Sequence, residues 1–396
     1  MLTSKQEIWL NEQDARINLL YGSVRSGKTF ISLLKYALKV GEYPIESQHL
    51  LVGRTLTTLK RNCLLLLKDL IGDSFKYSLS QKTGSLFGRT VFFEGANDER
   101  AEAKIRGLTL ATAYIDELTL IPEDFYKMLL SRLSITNAKL YATTNPDSPM
   151  NYVKTNIIDN DKIDKKCVKF TIDENTFLDP EYVLQIKNEY TGVFYDRYIL
   201  GDFVVADGLV YPNFDKNSHI SKTENRNYVK YYISNDYGTQ NSCVFLLWGL
   251  GIDSVWYCVK EYYHKGRDGK QKTVDEYYAD LLDFAKDCKI LQFIRDKAPI
   301  AASFNLHLRR KGDFVSRDCD NEVLAGIQDV ATALNRRLIK INDCCINTIR
   351  EFEMYSWNKN KPTDEPIKEN DDAIDAVRYF VRTLKITQPK YESLLG

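Results

Sequence analysis

This 396-residue chain has no long hydrophobic run, no imbalance of charge and no C-x-x-C pair. Its longest apolar stretches, such as residues 243–251, are strand-sized, well short of the about 20 residues a membrane helix needs. The opening Met1-Leu2-Thr3-Ser4-Lys5-Gln6 has no apolar core of the signal-peptide kind, so a cytoplasmic, membrane-free protein is expected. The eight cysteines, with Cys344 and Cys345 adjacent, suit neither a zinc cluster nor a disulfide scaffold; reduced thiols are the plain expectation. Lys plus Arg equals Asp plus Glu at 54 each, which argues against a static nucleic-acid coat. Local grip on a polyanion stays open at Arg309-Arg310-Lys311 and at Lys265, Arg267, Lys270 and Lys272, beside the blander reading of solvated surface charge. Repeats and low-complexity tracts are absent too, and 44% hydrophobic residues over this length allow two domains with real cores.

What is present is more specific. Gly22-Ser23-Val24-Arg25-Ser26-Gly27-Lys28-Thr29 matches the phosphate-cradling pattern G-x-x-x-x-G-K-[ST] in full. The two glycines let the backbone curl so that successive N–H groups face a polyphosphate. Lys28 is placed to reach the terminal phosphates, and Thr29 offers a hydroxyl to Mg²⁺. The context agrees: residues 17–21 read as a buried strand entering the loop and 30–40 as an amphipathic helix leaving it, putting the phosphates on a helix N-terminus. Downstream, the apolar strand 110–115 delivers Asp116 and Glu117. Asp116 suits the Mg²⁺ of bound ATP, and Glu117 suits orienting and deprotonating the attacking water, against the plainer alternative of a capping pair. Arg25 inside the loop and Arg106 ahead of the acidic strand are candidate neutralisers of transition-state charge, each with a surface ion pair as its alternative. Thr143, Thr144 and Asn145 end the next core strand, where polar groups can sense the terminal phosphate.

Strands and helices alternate through the first half: a strand at 49–54, a helix at 59–70, a hairpin strand at 87–94, strands at 139–142 and 168–172 and a helix at 180–189. Around 201–226 the texture changes, with Gly201, Gly208, Pro212 and a polar run, and a domain boundary is expected there. The expected division is 1–205, a linker at 206–226, 227–388 and a tail at 389–396. Beyond it come strand-like runs at 231–235, 243–248 and 255–263, a helix at 274–288, a strand at 290–294 and helices at 323–337 and 371–384.

In this second half Asp236 ends one apolar strand and Asp296 another, while Asp372 and Asp375 share one face of the last helix. Carboxylates brought together from two strand ends and one helix face repel unless cations lie between them, and oxygen-only ligands favour Mg²⁺ or Mn²⁺. Two such ions about 4 Å apart suit phosphodiester cleavage of the ribonuclease H type. The bland alternative is a set of turn aspartates and a helix start at Asp371-Asp372.

Taken in order, residues 22–29, Ile115-Asp116-Glu117, Thr143-Thr144-Asn145-Pro146, Gly201-Asp202-Phe203, Gly208-Leu209-Val210-Tyr211, Asp236-Tyr237-Gly238, Asp296 and Asp372-Ala373-Ile374-Asp375-Ala376 resemble the large terminase subunit of tailed bacteriophages, most closely the branch of Gram-positive phages and prophages. The resemblance implies an α/β fold: a P-loop (RecA/ASCE-like) ATPase domain followed by a ribonuclease H-like nuclease domain. It implies ATP and Mg²⁺ at the first, with nucleotide contacts from Gly22, Ser23, Val24, Arg25, Ser26, Gly27, Lys28, Thr29, Asp116, Thr143, Thr144 and Asn145, and catalysis by Glu117. It also implies two Mg²⁺ or Mn²⁺ ions held by Asp236, Asp296 and Asp375, with Asp372 where relatives often carry His, and Arg106 reaching a neighbouring subunit. Implied partners are double-stranded DNA, a portal protein, a small terminase subunit and further copies in a ring on the procapsid, the free subunit being monomeric in the host cytoplasm. A non-packaging translocase or helicase-like ATPase with structural carboxylates, and a scaffold with a decayed nuclease half, are the alternatives.

Overall fold

The computed structural model describes residues 2–387 other than 225, 239–241, 266–270, 360 and 362. Arg267, Lys270 and the expected tail thus lie outside the described residues. The chain divides into two compact units, one of residues 1–187 and 193–205, the other of residues 188–192 and 206–396.

Eight strands build the sheet of the first unit: β1 (Ile17–Gly22), β2 (Gln48–Gly53), β3 (Phe75–Ser78), β4 (Thr83–Leu86), β5 (Arg89–Gly95), β6 (Thr112–Ile115), β7 (Lys139–Thr144) and β8 (Lys165–Phe170). They lie in the order β3-β4-β5-β2-β6-β7-β1-β8, parallel from β5 to β8 and antiparallel across β3, β4 and β5. The loop-bearing β1 and the acid-bearing β6 are therefore separated by β7, whose end carries the polar trio. Alternation explains why these strands read as continuously apolar. Leu19, Leu50, Val52, Ile115 and Leu140 face a layer containing Phe125 and Leu129 of helix Glu123–Arg132. Leu51, Tyr114 and Tyr141 face Leu33, Tyr36 and Val40 of helix Lys28–Glu42.

Two expectations change in this unit. The single helix at 59–70 is a short helix Leu56–Leu59, a π turn Lys60–Leu64 and a helix Leu65–Ile71. The strand at 87–94 belongs to a three-stranded meander. Helix Ser4–Asn11, which buries only Gln6 and Trp9, shows no amphipathic stripe in the sequence; its start is marked by a capping box between Thr3 and Gln6.

The second unit is built on β9 (Ile220–Ser221), β10 (Tyr228–Asp236), β11 (Ser242–Gly251), β12 (Trp256–Lys265), β13 (Ile290–Arg295), β14 (Ser316–Asp318) and β15 (Ile339–Asn342), in the order β14-β13-β10-β11-β12-β15-β9. β10, β11 and β12 form an antiparallel meander, and β13 and then β14 extend it in parallel beside β10, which is the ribonuclease H-like arrangement. Both faces are covered. Phe245 and Leu247 meet Tyr277, Leu281 and Phe284 of helix Val274–Ala285, whereas Trp248 stacks on Phe380 of helix Asp372–Thr383, with ring centroids 4.2 Å apart and planes 2° from parallel. The described residues of 206–226, read from the sequence as a linker, belong to this unit. Val210 N–H donates to Tyr355 O at 2.8 Å, and Phe214 stacks on Phe352 at 4.5 Å. Because β10 and β13 are parallel, their carboxyl ends, bearing Asp236 and Asp296, lie at the same edge of the sheet.

Candidate functional site

The first unit holds a cavity of about 330 Å³ lined by Arg25, Lys28, Thr29, Arg61, Asn62, Leu66, Asp116, Glu117, Thr143, Thr144 and Asn145. Its floor is the glycine-rich loop. Gly22 has φ +132°, and a Cβ there would press into Phe170 O, so no other residue fits. Ser23 N–H donates to Phe170 O at 2.9 Å and Val24 N–H to Tyr198 O at 2.8 Å. Those two amides are committed to shaping the loop, which leaves a phosphate to the amides from Arg25 onward and to the first turn of helix Lys28–Glu42. The Lys28 ammonium donates to Ser23 O at 2.9 Å and to Asn145 Oδ1 at 2.6 Å. Burial lowers its pKa to about 8, against the opposing pull of Asp116 and Glu117.

Each member of the polar trio at the end of β7 is tied to a different part of this cavity. Thr143 donates to Asp116 Oδ1 at 3.0 Å, Asn145 holds Lys28, and Thr144 Oγ1 accepts from Thr119 N–H at 3.1 Å, just beyond the acidic pair. Glu117 has a left-handed backbone, φ 55° and ψ 53°, that turns the chain directly after β6. Burial, then the charge of Asp116, raises its pKa above the ordinary carboxylate value. Arg106 stands elsewhere: it is exposed, paired with Glu102, and does not line the cavity. Sequence reasoning missed Arg61 and Asn62. Asn62 Nδ2 donates to Asp116 Oδ2 at 3.0 Å, and only the π turn, invisible in an apolar pattern, brings this pair of polar residues to the cavity.

In the second unit Asp236, partly buried at the end of β10, has its pKa pushed well above the ordinary range by desolvation and then by Asp375, Asp296, Asp372 and Asp371. Asp296 is buried, accepts from Ala298 N–H at 2.9 Å, and is likewise raised by burial first. The other three sequence-predicted aspartates, together with Asp371, are thus within electrostatic reach of Asp236. Among the described residues, however, no three acidic, His or Cys side chains are drawn into a closed ligand group. The reasons are visible. Asp375 is bonded to the buried guanidinium of Arg378 at 2.8 Å, and Asp372 accepts from Tyr263 Oη at 3.2 Å. Asp371 stands at the N-cap of helix Asp372–Thr383, but its side chain caps no amide there. Glu351, wholly buried in helix Ile346–Met354, takes that role by accepting from Ala373 N–H at 2.7 Å and Ile374 N–H at 3.1 Å. Burial raises Glu351 to about 7. Its position 21 residues before Asp372 in sequence hid it from any local motif. Arg309, Arg310 and Lys311 form the exposed last turn of helix Ala302–Lys311.

The parallel sheet, the loop on β1, the acidic pair on β6 and β7 between them define a P-loop ATPase of the RecA/ASCE-like class, joined in one chain to a ribonuclease H-like unit. Comparison with known proteins narrows this class. Residues 19–218 match the family model described as the terminase large subunit, T4likevirus-type, N-terminal. Among solved structures, the large terminase of a thermophilic bacteriophage in complex with ADP is 38% identical, with a TM-score of 0.87, over 97% of this chain and 100% of that one. A second crystal form of the same thermophilic-phage protein gives a TM-score of 0.88 at 37% identity, covering 97% of this chain and 99% of that one. Its complex with ATP-gamma-S gives 0.86 at 37%, covering 97% and 100%. Curated protein sequences yield no significant match. The chain belongs to the large terminase family, the ATPases that package phage DNA. Among the described residues no helix is long and apolar enough to cross a membrane.

Proposed function

We propose that this chain couples ATP hydrolysis in its first unit to translocation of double-stranded DNA into a procapsid, and that its second unit cuts concatemeric DNA by two-metal endonuclease chemistry. The ADP and ATP-gamma-S complexes of the similar thermophilic-phage terminase support the first half. In this reading the amides from Arg25 to Thr29 hold the phosphates, Lys28 leaves Asn145 to meet them, and Thr29 and Asp116 bind the Mg²⁺ that arrives with ATP. Glu117 takes the proton of the attacking water, its raised pKa bringing it nearer the working pH of a general base. Loss of the terminal phosphate returns Lys28 to Asn145, and the Thr144–Thr119 bond passes that change to the segment after β6. Arg25 meets the phosphates from the loop. Arg106, standing outside its own cavity, serves the nucleotide of a neighbouring copy.

The observation that carries the second half is the crowding around Asp236: four further carboxylates raise its pKa, with the guanidinium of Arg378 bonded to Asp375 and Lys368 near Asp371 offsetting part of that charge. An all-oxygen donor set of this kind fits hard divalent cations. Asp236, Asp296 and Asp375 would hold them, with Asp372 beside them on its Tyr263 bond. When bound, a pair of Mg²⁺ or Mn²⁺ ions supplies activation of water and neutralises charge on the departing oxygen. The chain's own contribution is to hold the three carboxylates at the carboxyl ends of β10 and β13 and on one helix face. Portal protein, small terminase subunit and further copies in a ring complete the machine, in the host cytoplasm.

The test uses the full chain. Lys28→Ala and Glu117→Ala should each remove ATP turnover, the second while keeping ATP binding. Asp375→Ala should abolish Mn²⁺-dependent plasmid cleavage and leave ATP turnover intact. Cleavage by the Asp375 variant at the wild-type rate would contradict the nuclease half alone.

A further inference from the structure

The π turn Lys60–Leu64 has a consequence for ATP hydrolysis. Leu65 N–H reaches back five residues to Lys60 O, so this turn holds one residue more than an α-helical turn. Leu59, Cys63, Leu64 and Leu67 all remain fully buried in the core beside β2, while the two consecutive residues Arg61 and Asn62, together with Leu66, line the ATP cavity. Asn62 anchors the turn to Asp116 at 3.0 Å. Arg61 is left with a weak bond to Asn62 Oδ1 at 3.3 Å and has no carboxylate partner among the described residues. A guanidinium without a carboxylate, exposed at the wall of a cavity that also contains Lys28, Thr29 and Glu117, is placed for an anion that comes from solution.

We propose that Arg61 is a catalytic residue of the ATPase, contacting the terminal phosphate of ATP from within its own subunit, opposite the glycine-rich loop. Its location separates it from the other arginines. Arg25 lines the cavity but sits on the loop itself, and Arg106 does not line it. Arg54 is electrostatically near Glu117 but does not line the cavity. Arg61 alone of the four does both, and the attacked phosphate must sit beside Glu117. Hydrolysis transfers the terminal phosphoryl group to water: the bond to the bridging oxygen of ADP breaks, the bond to the water oxygen forms, and Glu117 accepts the proton. Charge grows on the oxygens of the transferred group, and the delocalised, permanently charged guanidinium of Arg61 offers two parallel donors to it.

The proposal is tested on the full chain with Arg61→Ala and Arg61→Lys, measuring steady-state ATP turnover and, separately, binding of ADP. Loss of one transition-state donor lowers kcat by about 100-fold or more, so Arg61→Ala should do so with KM and ADP affinity within about threefold of wild type. Arg61→Lys keeps the charge without the fork and should recover part of the loss. The fold loss should be the same in dilute and concentrated protein, because the residue acts on its own nucleotide. Turnover of Arg61→Ala within threefold of wild type overturns the proposal. So does a kcat loss matched by an equal loss of ADP binding, which would mark Arg61 as a residue that only shapes the cavity. If Arg61→Ala fails to fold, as judged by circular dichroism, Arg61→Gln is the deciding variant by the same criteria.

Discussion

Lys28 should make nucleotide binding depend on pH in a direction and size that the structure sets. Its ammonium is buried beneath the glycine-rich loop, and burial brings its pKa down to about 8, with Asp116 and Glu117 limiting the fall. The sign follows directly. Below that value Lys28 carries the charge that a polyphosphate needs; above it the amine is neutral and the site loses its buried cation. At pH 7 about nine-tenths of the unliganded protein carries the Lys28 proton and at pH 9 just under one-tenth, so apparent affinity should weaken about tenfold over that interval if only the charged form binds. The assay is a fluorescence or calorimetric titration with ATP-gamma-S at constant Mg²⁺ and ionic strength, in half-unit steps from pH 7 to 9.5. Lys28→Arg serves as the reference: its guanidinium does not titrate in this range, so its weaker binding should show no such slope. Equal pH dependence in the wild type and Lys28→Arg would refute the assignment of the slope, and constant affinity in the wild type would refute the buried, half-titrated ammonium itself.

Three further outcomes follow from the geometry. Gly22→Ala forces a methyl group into Phe170 O at a φ of +132°, and should cost roughly 3 kcal/mol or more in chemical denaturation while abolishing ATP binding. Arg378→Leu removes the buried guanidinium and leaves the partly buried Asp375 carboxylate without it, which should cost about 3 kcal/mol at neutral pH, a loss visible as a lower denaturation midpoint; an unchanged midpoint would show the pair to be dispensable. Arg106→Ala should leave nucleotide binding by the dilute subunit untouched and lower turnover only where copies assemble, so an equal loss in dilute protein would contradict its cross-subunit role.

Much of the first unit was legible because its signals are local. The phosphate loop is eight consecutive residues, and β1 and β6 announce themselves as apolar runs ending in Gly22 and Asp116. Helix Ser4–Asn11 was not legible because Trp9 and Gln6 are the only residues it buries, too few for an apolar stripe. Arg61 and Asn62 stayed hidden for a different reason: in an ideal α-helix, consecutive residues diverge by about 100°, and only the widened turn sets both on the cavity. In the second unit the strand ends at Asp236 and Asp296 could be read, since each closes an apolar run. The partners of those acids could not. Glu351 caps a helix 21 residues downstream in sequence, and Arg378, which reads as one more polar residue on the last helix, is fully buried and holds Asp375. Residues 206–226 read as a linker from their glycines and polar run, yet Tyr211 and Phe214 bind them to Phe352. Long-range packing of two aromatic side chains outweighed local texture.

The central claim is that one chain carries an ATP cavity and, separately, a carboxylate cluster that binds divalent ions in pairs. Soaking crystals of the full chain in Mn²⁺ and measuring anomalous scattering tests it most directly. Two peaks about 4 Å apart are expected among Asp236, Asp296 and Asp375, with the Arg378–Asp375 bond lengthened to admit them. A map at saturating Mn²⁺ with no peak at these three aspartates would contradict it.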